Sequence, residues 1–423
     1  AIGWIIQLKK VTLIKMLLNF SFFILGLFMV IGSVTLRNYL VEKDFVLIAG
    51  NIGINFYSGN NPRATGTFFC PAEITLNQED MFRDSGIIAR YETGKDLKTS
   101  GVSNFWFNKA IEFIRKDRVG YLKLLLKKIT YCLSQYEFIH DIEYQLIAGK
   151  IGILKIMFKD LSFLLPFGIL GMLIGLRRFK DSALLYIFLF AVSSSIVMFF
   201  VAARYRLVIV PVIMIFVAFG FFSLLDALKN KSYIKFYLLI LTLVAIFILL
   251  NFNSSRVRSF AADLKDNSGA LDYHLAKAMV YEDNSDYPNA IKELILARTM
   301  HPENRRAIFR LGVIRYFLGD FRSSEEEFKE VTKISPLCFD AYYNLGLIYN
   351  LQGRFKEAEA VLDRAVFLYP EDASVHFELG MASKFIGNVK KAKREFGLAL
   401  EKINRWRIEE KAIIEKELAD ISK

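Results

Sequence analysis

The sequence predicts a mainly α-helical protein: a multi-span transmembrane helical bundle with an extracytoplasmic loop subdomain, followed by a C-terminal α-solenoid. Three observations predict it. Long uncharged apolar runs crowd into the first 252 residues. Basic residues gather in the short connections between those runs. Beyond them, proline and glycine recur at a fixed spacing of 34 residues.

The apolar runs are Leu18–Leu36, Leu161–Leu176, Ala183–Ala203, Leu207–Leu225 and Phe236–Phe252. A helix crossing a bilayer needs about 20 such residues. The second run is short and contains Pro166. Core helices of a soluble protein mimic one such run, but hardly five. Lys9, Lys10 and Lys15 lie at the entry to the first run, Arg177, Arg178 and Lys180 between the second and third, and Lys229, Lys231 and Lys235 between the fourth and fifth. Excess Lys and Arg in short loops marks the cytoplasmic side. The expected division is a first transmembrane region over 1–36, an outer loop over 37–160, four transmembrane helices over 161–252 and a linker over 253–270. The outer loop and everything after Phe252 then lie outside the cytoplasm, as in a bacterial inner-membrane protein.

The net charge of +12 carries no nucleic-acid signal, because it sits at membrane flanks and on the long loop. The chain starts at Ala1 inside an apolar pattern and reads as a fragment lacking an N-terminal part. No small-residue cleavage site follows the first run, which argues against a signal peptide. Cys70, Cys132 and Cys338 form no CxxC or Cys/His cluster, so no zinc site is expected, nor any other cofactor. Cys70 and Cys132 are candidates to pair in an oxidising compartment, with buried free thiols the alternative. His140 with Asp141 and Glu143 reads as a surface cluster rather than a metal site.

The solenoid follows from its period. Pro302, Pro336 and Pro370 are spaced by 34, as are Gly312, Gly346 and Gly380 and the later Gly319, Gly353 and Gly387. Ala358, Ala365, Ala392 and Ala399 supply small residues where paired helices cross. This is the tetratricopeptide signature. Repeats are expected over 271–404, the first starting weakly near Leu271, with a charged capping helix over 405–423. Such arrays bury a continuous core and present a concave face, read here as a docking surface for a protein or peptide. His274, His301 and His376 within it read as ordinary helix residues.

The polar stretch NIGINFYSGNNPRATG, Asn51 to Gly66, carries the candidate chemistry. Asn51, Asn55, Asn60 and Asn61 offer amides to sugar hydroxyls. Gly53 and Gly59 allow backbone N–H groups to converge on an anion. Tyr57 suits stacking on a sugar face. Arg37, Arg204 and Arg206 sit at predicted outer span ends, where guanidinium groups grip phosphate in bidentate fashion. Turns and headgroup snorkelling are the plain alternatives. Phe105–Leu133 reads as two amphipathic helices with Lys109, Lys123, Lys127 and Lys128 in polar surroundings, either in the membrane interface or in a globular outer subdomain.

The blocks Arg37-Asn38-Tyr39, NIGINFYSGNNP and AARYRL together resemble the C-terminal half of GT-C glycosyltransferases, of the dolichyl-phosphate-mannose protein mannosyltransferase and aminoarabinose transferase type. The resemblance runs from about Leu18 to Leu228, with Ile52 replacing a usual Gly and Val208 a usual Pro. It implies transfer of a sugar from a polyprenyl-phosphate lipid to an extracytoplasmic acceptor, with a catalytic acidic residue upstream of Ala1. Two other readings stand beside it. One is a non-enzymatic membrane-anchored assembly or scaffold protein. The other is an O-antigen polymerase or ligase with a repeat tail.

Overall fold

The structure is a computed structural model that describes residues 13–67, 74, 78–133, 161–252, 270–403 and 408–422. Cys70 and the His140 cluster lie outside the described residues. Every regular element among the described residues is a helix, and the chain divides into two units. One comprises residues 1–69 and 97–266; the other comprises 70–96 and 267–423.

The first unit opens with α1, Leu13–Glu42, an unbroken helix of 30 residues. Helices α2 (Ile52–Gly59), α4 (Thr99–Lys116) and α5 (Arg118–Leu133) follow within this unit. Then come α6 (Leu161–Gly175), α7 (Phe179–Met198), α8 (Val210–Lys229) and α9 (Tyr233–Phe252). Among the described residues, four helical stretches are long and apolar enough to cross a membrane: Leu17–Glu42, Leu164–Met198, Arg204–Lys229 and Tyr233–Leu250. The sequence suggested five runs. The second and third are two arms of one stretch, joined by a single 3-10 turn at Leu176–Arg178. The arms fold back on each other, since Leu165 and Leu189 share one buried cluster and the Tyr186 hydroxyl donates to the Met172 carbonyl at 2.5 Å. α6 alone, 15 residues, spans about 22 Å, short of the roughly 30 Å hydrocarbon layer.

The second unit contains α3 (Gln78–Thr93) and four helix pairs. The pairs are α10 (Ala270–Asp283) with α11 (Tyr287–Met300), α12 (Arg305–Phe317) with α13 (Phe321–Ile334), α14 (Phe339–Leu351) with α15 (Phe355–Leu368), and α16 (Ala373–Ile386) with α17 (Val389–Lys402). A last helix, α18, covers Ile408–Ser422 and packs Ile414 against Phe396 and Ala399. Asx residues start many of these helices: the side chains of Asp286, Asn304, Asp320, Asp372 and Asn388 each accept from a backbone N–H three residues on. That contact satisfies a donor the helix itself leaves orphaned. Gly319, Gly353 and Gly387 turn the chain between partner helices with φ of +77°, +72° and +88°, a region that favours glycine.

Three of the four pairs close around one contact; the first carries Ala278 at the glycine position. A glycine on the first helix faces a large buried residue on the second: Gly312 meets Phe328, Gly346 meets Leu362 and Gly380 meets Phe396. Phe328, Leu362 and Phe396 are fully buried and 34 residues apart. The missing Cβ is what lets the helices approach this closely.

Candidate functional site

Only the second half of the polar stretch is a loop. Residues Ile52–Gly59 form α2, because close packing on neighbouring backbones holds them helical. A Cβ on Gly53 would stand 1.8 Å from the Ser103 carbonyl oxygen of α4, and one on Gly59 would stand 1.8 Å from that of Phe199. The glycines therefore serve contact with protein backbone. Phe56 stacks on Phe107 with ring centres 4.9 Å apart and meets Phe199 edge-on at 5.6 Å. Tyr57 packs against Trp106 at 5.0 Å.

The amides of Asn60 and Asn61 are engaged internally. Asn60 is fully buried; its Nδ2 donates to the carbonyls of Phe56 (2.8 Å) and Met198 (2.9 Å). Its Oδ1 accepts from Lys128 Nζ at 2.9 Å, and the same Nζ donates to the Phe199 carbonyl at 2.7 Å. Asn61 Nδ2 donates to the Tyr57 carbonyl, and its Oδ1 accepts from the Arg63 amide. Lys128, expected in polar surroundings, is fully buried. The reason is the end of α7. A helix leaves its last carbonyls without internal partners and carries partial negative charge there. Asn60 and Lys128 supply donors to that end. Burial nevertheless pushes the Lys128 ammonium down to about 7.

Arg206 is likewise buried rather than at an outer lip, and its Nη1 donates to the Tyr131 carbonyl at 3.2 Å in the last turn of α5. Arg37 is exposed, with Nη1 3.3 Å from Asn38 Oδ1. Its neighbour Asn38 ties the chain after α1 by donating to the carbonyls of Val46 and Ile48. Asp44, which sequence reasoning passed over, caps α4: its carboxylate accepts from the Ser100 amide (2.7 Å) and hydroxyl (2.6 Å). Burial opposes its ionisation, but these bonds outweigh it and hold the carboxyl below its ordinary range.

Asn55 lines a cavity of about 500 Å³ together with Ser195 and Tyr205, on walls of Ile52, Val192 and Val208. Arg204 is exposed beside it in sequence, with its guanidinium 5.1 Å from the Tyr205 ring centre. Asn51 is half-buried at the N-terminal end of α2, outside the lining of this cavity. Among the described residues, no group of three or more His, Cys, Asp or Glu side chains is placed to hold a metal.

His274 and His376 of the repeat unit are structural, and His301 follows the end of α11. His376 and Glu395, both buried, meet at 2.7 Å, and the second ring nitrogen of His376 lies 3.0 Å from the Pro370 carbonyl. His274 and Glu293 repeat the pair at 2.6 Å in the first helix pair, at the same register. The two glutamates recur at the position of Glu327, which takes Arg298 and Arg315 instead.

Three exposed apolar side chains also share one register. Phe317, Leu351 and Phe385 lie in the last turns of successive first helices, 34 residues apart, and are 66%, 62% and 57% exposed. The period is in the sequence, but their exposure is a property of the stacked pairs.

Residues 309–373 match the tetratricopeptide repeat family. No curated protein matches the chain in sequence. Similar solved structures include a crystal structure of MamA, 22% identical over 34% of this chain and 85% of that chain, with a TM-score of 0.31. Another is MamA 41-end from Desulfovibrio magneticus RS-1, 17% identical over 36% and 93% of the two chains, with a TM-score of 0.32. The C-terminal region of this all-helical chain is a tetratricopeptide-repeat array, joined to four helical stretches fit to span a membrane.

Proposed function

We propose that the chain is a membrane-anchored docking protein whose repeat array holds a protein partner outside the cytoplasm. The observation that carries this reading is the row Phe317, Leu351 and Phe385. Large apolar side chains exposed in a line on a soluble surface mark a contact for another protein. Their spacing follows the repeat, so a partner helix or extended segment laid along the array meets all three. A photoreactive residue at Leu351 or Phe385, with one at exposed Glu326 as control, tests it in cells. The expected result is one discrete protein adduct from the row and none from the control. Adducts that are absent, or equal at all three positions, defeat the reading.

A second reading is favoured by the cavity beside α2: transfer of a sugar from a polyprenyl-phosphate donor to an extracytoplasmic acceptor. Its apolar walls suit an isoprenoid chain. Asn55 offers an amide to the sugar, and Arg204 offers a charge to the phosphate. Arg37 and Asn51 belong to this proposal as outer contacts; Asn60, Asn61 and Arg206 support the site from behind. Arg204→Ala should weaken donor binding roughly 10- to 150-fold, the loss of one charge-assisted contact of about 1.5–3 kcal/mol. Arg204→Lys should recover only part, since a point charge does not reproduce the guanidinium fork. Normal donor binding by both variants in detergent would sink this reading and leave the docking reading standing.

A further inference from the structure

Helix α3 comes from the middle of the predicted outer loop, yet it belongs to the repeat unit. It lies against the N-terminal ends of α12 and α14. Arg83 Nη2 meets Asp340 Oδ2 at 2.5 Å, with its guanidinium 5.2 Å from the Phe339 ring centre. Asp84, one residue on, is buried beside Arg83 at 3.2 Å and Arg305 at 3.9 Å. The four side chains form an alternating row: Asp340, Arg83, Asp84, Arg305. Ile87, four residues after Arg83 and so on the same helix face, joins the array's main core cluster with Phe339 and Leu345. Cys338 sits beneath this contact, its thiol pushed up to about 11 by burial.

Nothing in the 34-residue repeat requires α3. Three of the helix pairs close on their own glycine contacts, the first closes on Ala278 and Leu294, and α3 lies outside the period. Its recognition instead has the form of a ligand: two charges of opposite sign matched to opposite charges, and one aliphatic anchor.

We propose that α3 is a tethered ligand of the repeat array. The surface formed by Arg305, Phe339 and Asp340 is a receptor for a helix with Arg, Asp and Ile at positions i, i+1 and i+4, and α3 masks it in cis. The chain runs into α3 from residues of the membrane unit and returns to them, so the ligand is held at an effective concentration on the order of millimolar. An outside helix of the same chemistry binds only by displacing it, and that displacement releases the outer loop. The outside partner rests on the docking reading; the masking does not, because it stands on contacts within the array.

The test uses the whole chain in detergent, with amide hydrogen exchange and a labelled peptide of residues 78–96. Asp340→Arg and, separately, Ile87→Asp should speed exchange across α3 by about 10- to 150-fold while α14 and α15 stay protected. Arg83→Asp combined with Asp340→Arg should restore protection. The peptide should bind the Ile87→Asp chain and not the unaltered one. Unchanged exchange in α3 overturns the proposal. So does loss of protection through α14 and α15 in both single variants, which would make α3 a structural part of the array. Peptide binding to both chains, or to neither, overturns it as well. None of these outcomes bears on the photocrosslinking at Leu351, so failure of the mask and failure of the docking reading are separately visible.

Discussion

Lys128 Nζ lies 2.9 Å from Asn60 Oδ1, across 68 residues of sequence, and both side chains are fully buried. The pair closes the C-terminal end of α7 and joins α2, α5 and α7. The unfolded chain holds this lysine near its ordinary 10.5, and the folded chain near 7. Between those values the unfolded state binds a proton that the folded state does not. Stability therefore rises with pH from about 7 to about 10.5 and is level below, by up to about 5 kcal/mol at roughly 1.4 kcal/mol per unit. Melting from pH 6.5 to 9.5 should show this slope in the unaltered protein. Lys128→Met should flatten it and destabilise the fold, because two buried acceptors lose their donor at about 1–3 kcal/mol each. Equal slopes in the two proteins would refute the assignment.

Gly346→Leu should destabilise the third helix pair. A Cβ alone at this position would stand 2.4 Å from the Leu362 side chain, which is fully buried. Overpacking of this kind costs about 1–3 kcal/mol. Each pair rests on its neighbours, so protection should fall in α12 to α17 and hold in α6 to α9. Exchange measured on the full chain reads this directly; an unaltered array would show that the glycine contact is dispensable.

Glu325 on α13 ties the second pair to the third. It accepts from Arg354 at 2.6 Å, Lys329 at 2.6 Å and Tyr349 at 3.1 Å. Burial raises its carboxyl, but these bonds together outweigh that and bring it to about 2. The stability it contributes is fully present above about 4.5 and is lost as pH falls from there towards 2. With Arg354 and Lys329 partly open to water, about 1–2 kcal/mol is expected. Acid titration of array unfolding should therefore be shallower in Glu325→Gln over that window. Superimposable titrations would argue that the bridge adds nothing.

We expect the array to lie outside the cytoplasm, from Arg177, Arg178 and Lys180 in one short turn and Lys229, Lys231 and Lys235 in another. With those turns in the cytoplasm, a membrane-impermeant thiol reagent on intact cells should label Ser374→Cys and spare Ser232→Cys. Labelling at 232 alone would invert the topology and remove the extracytoplasmic setting of both functional readings.

The sequence alone determined the features that repeat or persist locally. A 34-residue period of Pro and Gly specifies stacked helix pairs, because each pair is a copy of one local packing solution. Apolar runs specify membrane-length helices, because backbone polar groups in hydrocarbon must be satisfied within the segment. Only the tertiary structure decided the fate of the polar side chains. Asn60, Asn61 and Arg206 read equally well as sugar and phosphate contacts or as donors to helix ends, and their partners lie in the fold: Met198 is 138 residues from Asn60, and Tyr131 is 75 from Arg206. The same holds for α3, whose Arg83 finds Asp340 across 257 residues. A buried donor is satisfied by whichever carbonyl or carboxylate the packing brings within about 3 Å. That proximity is set by how helices cross, and no periodicity along the chain encodes it.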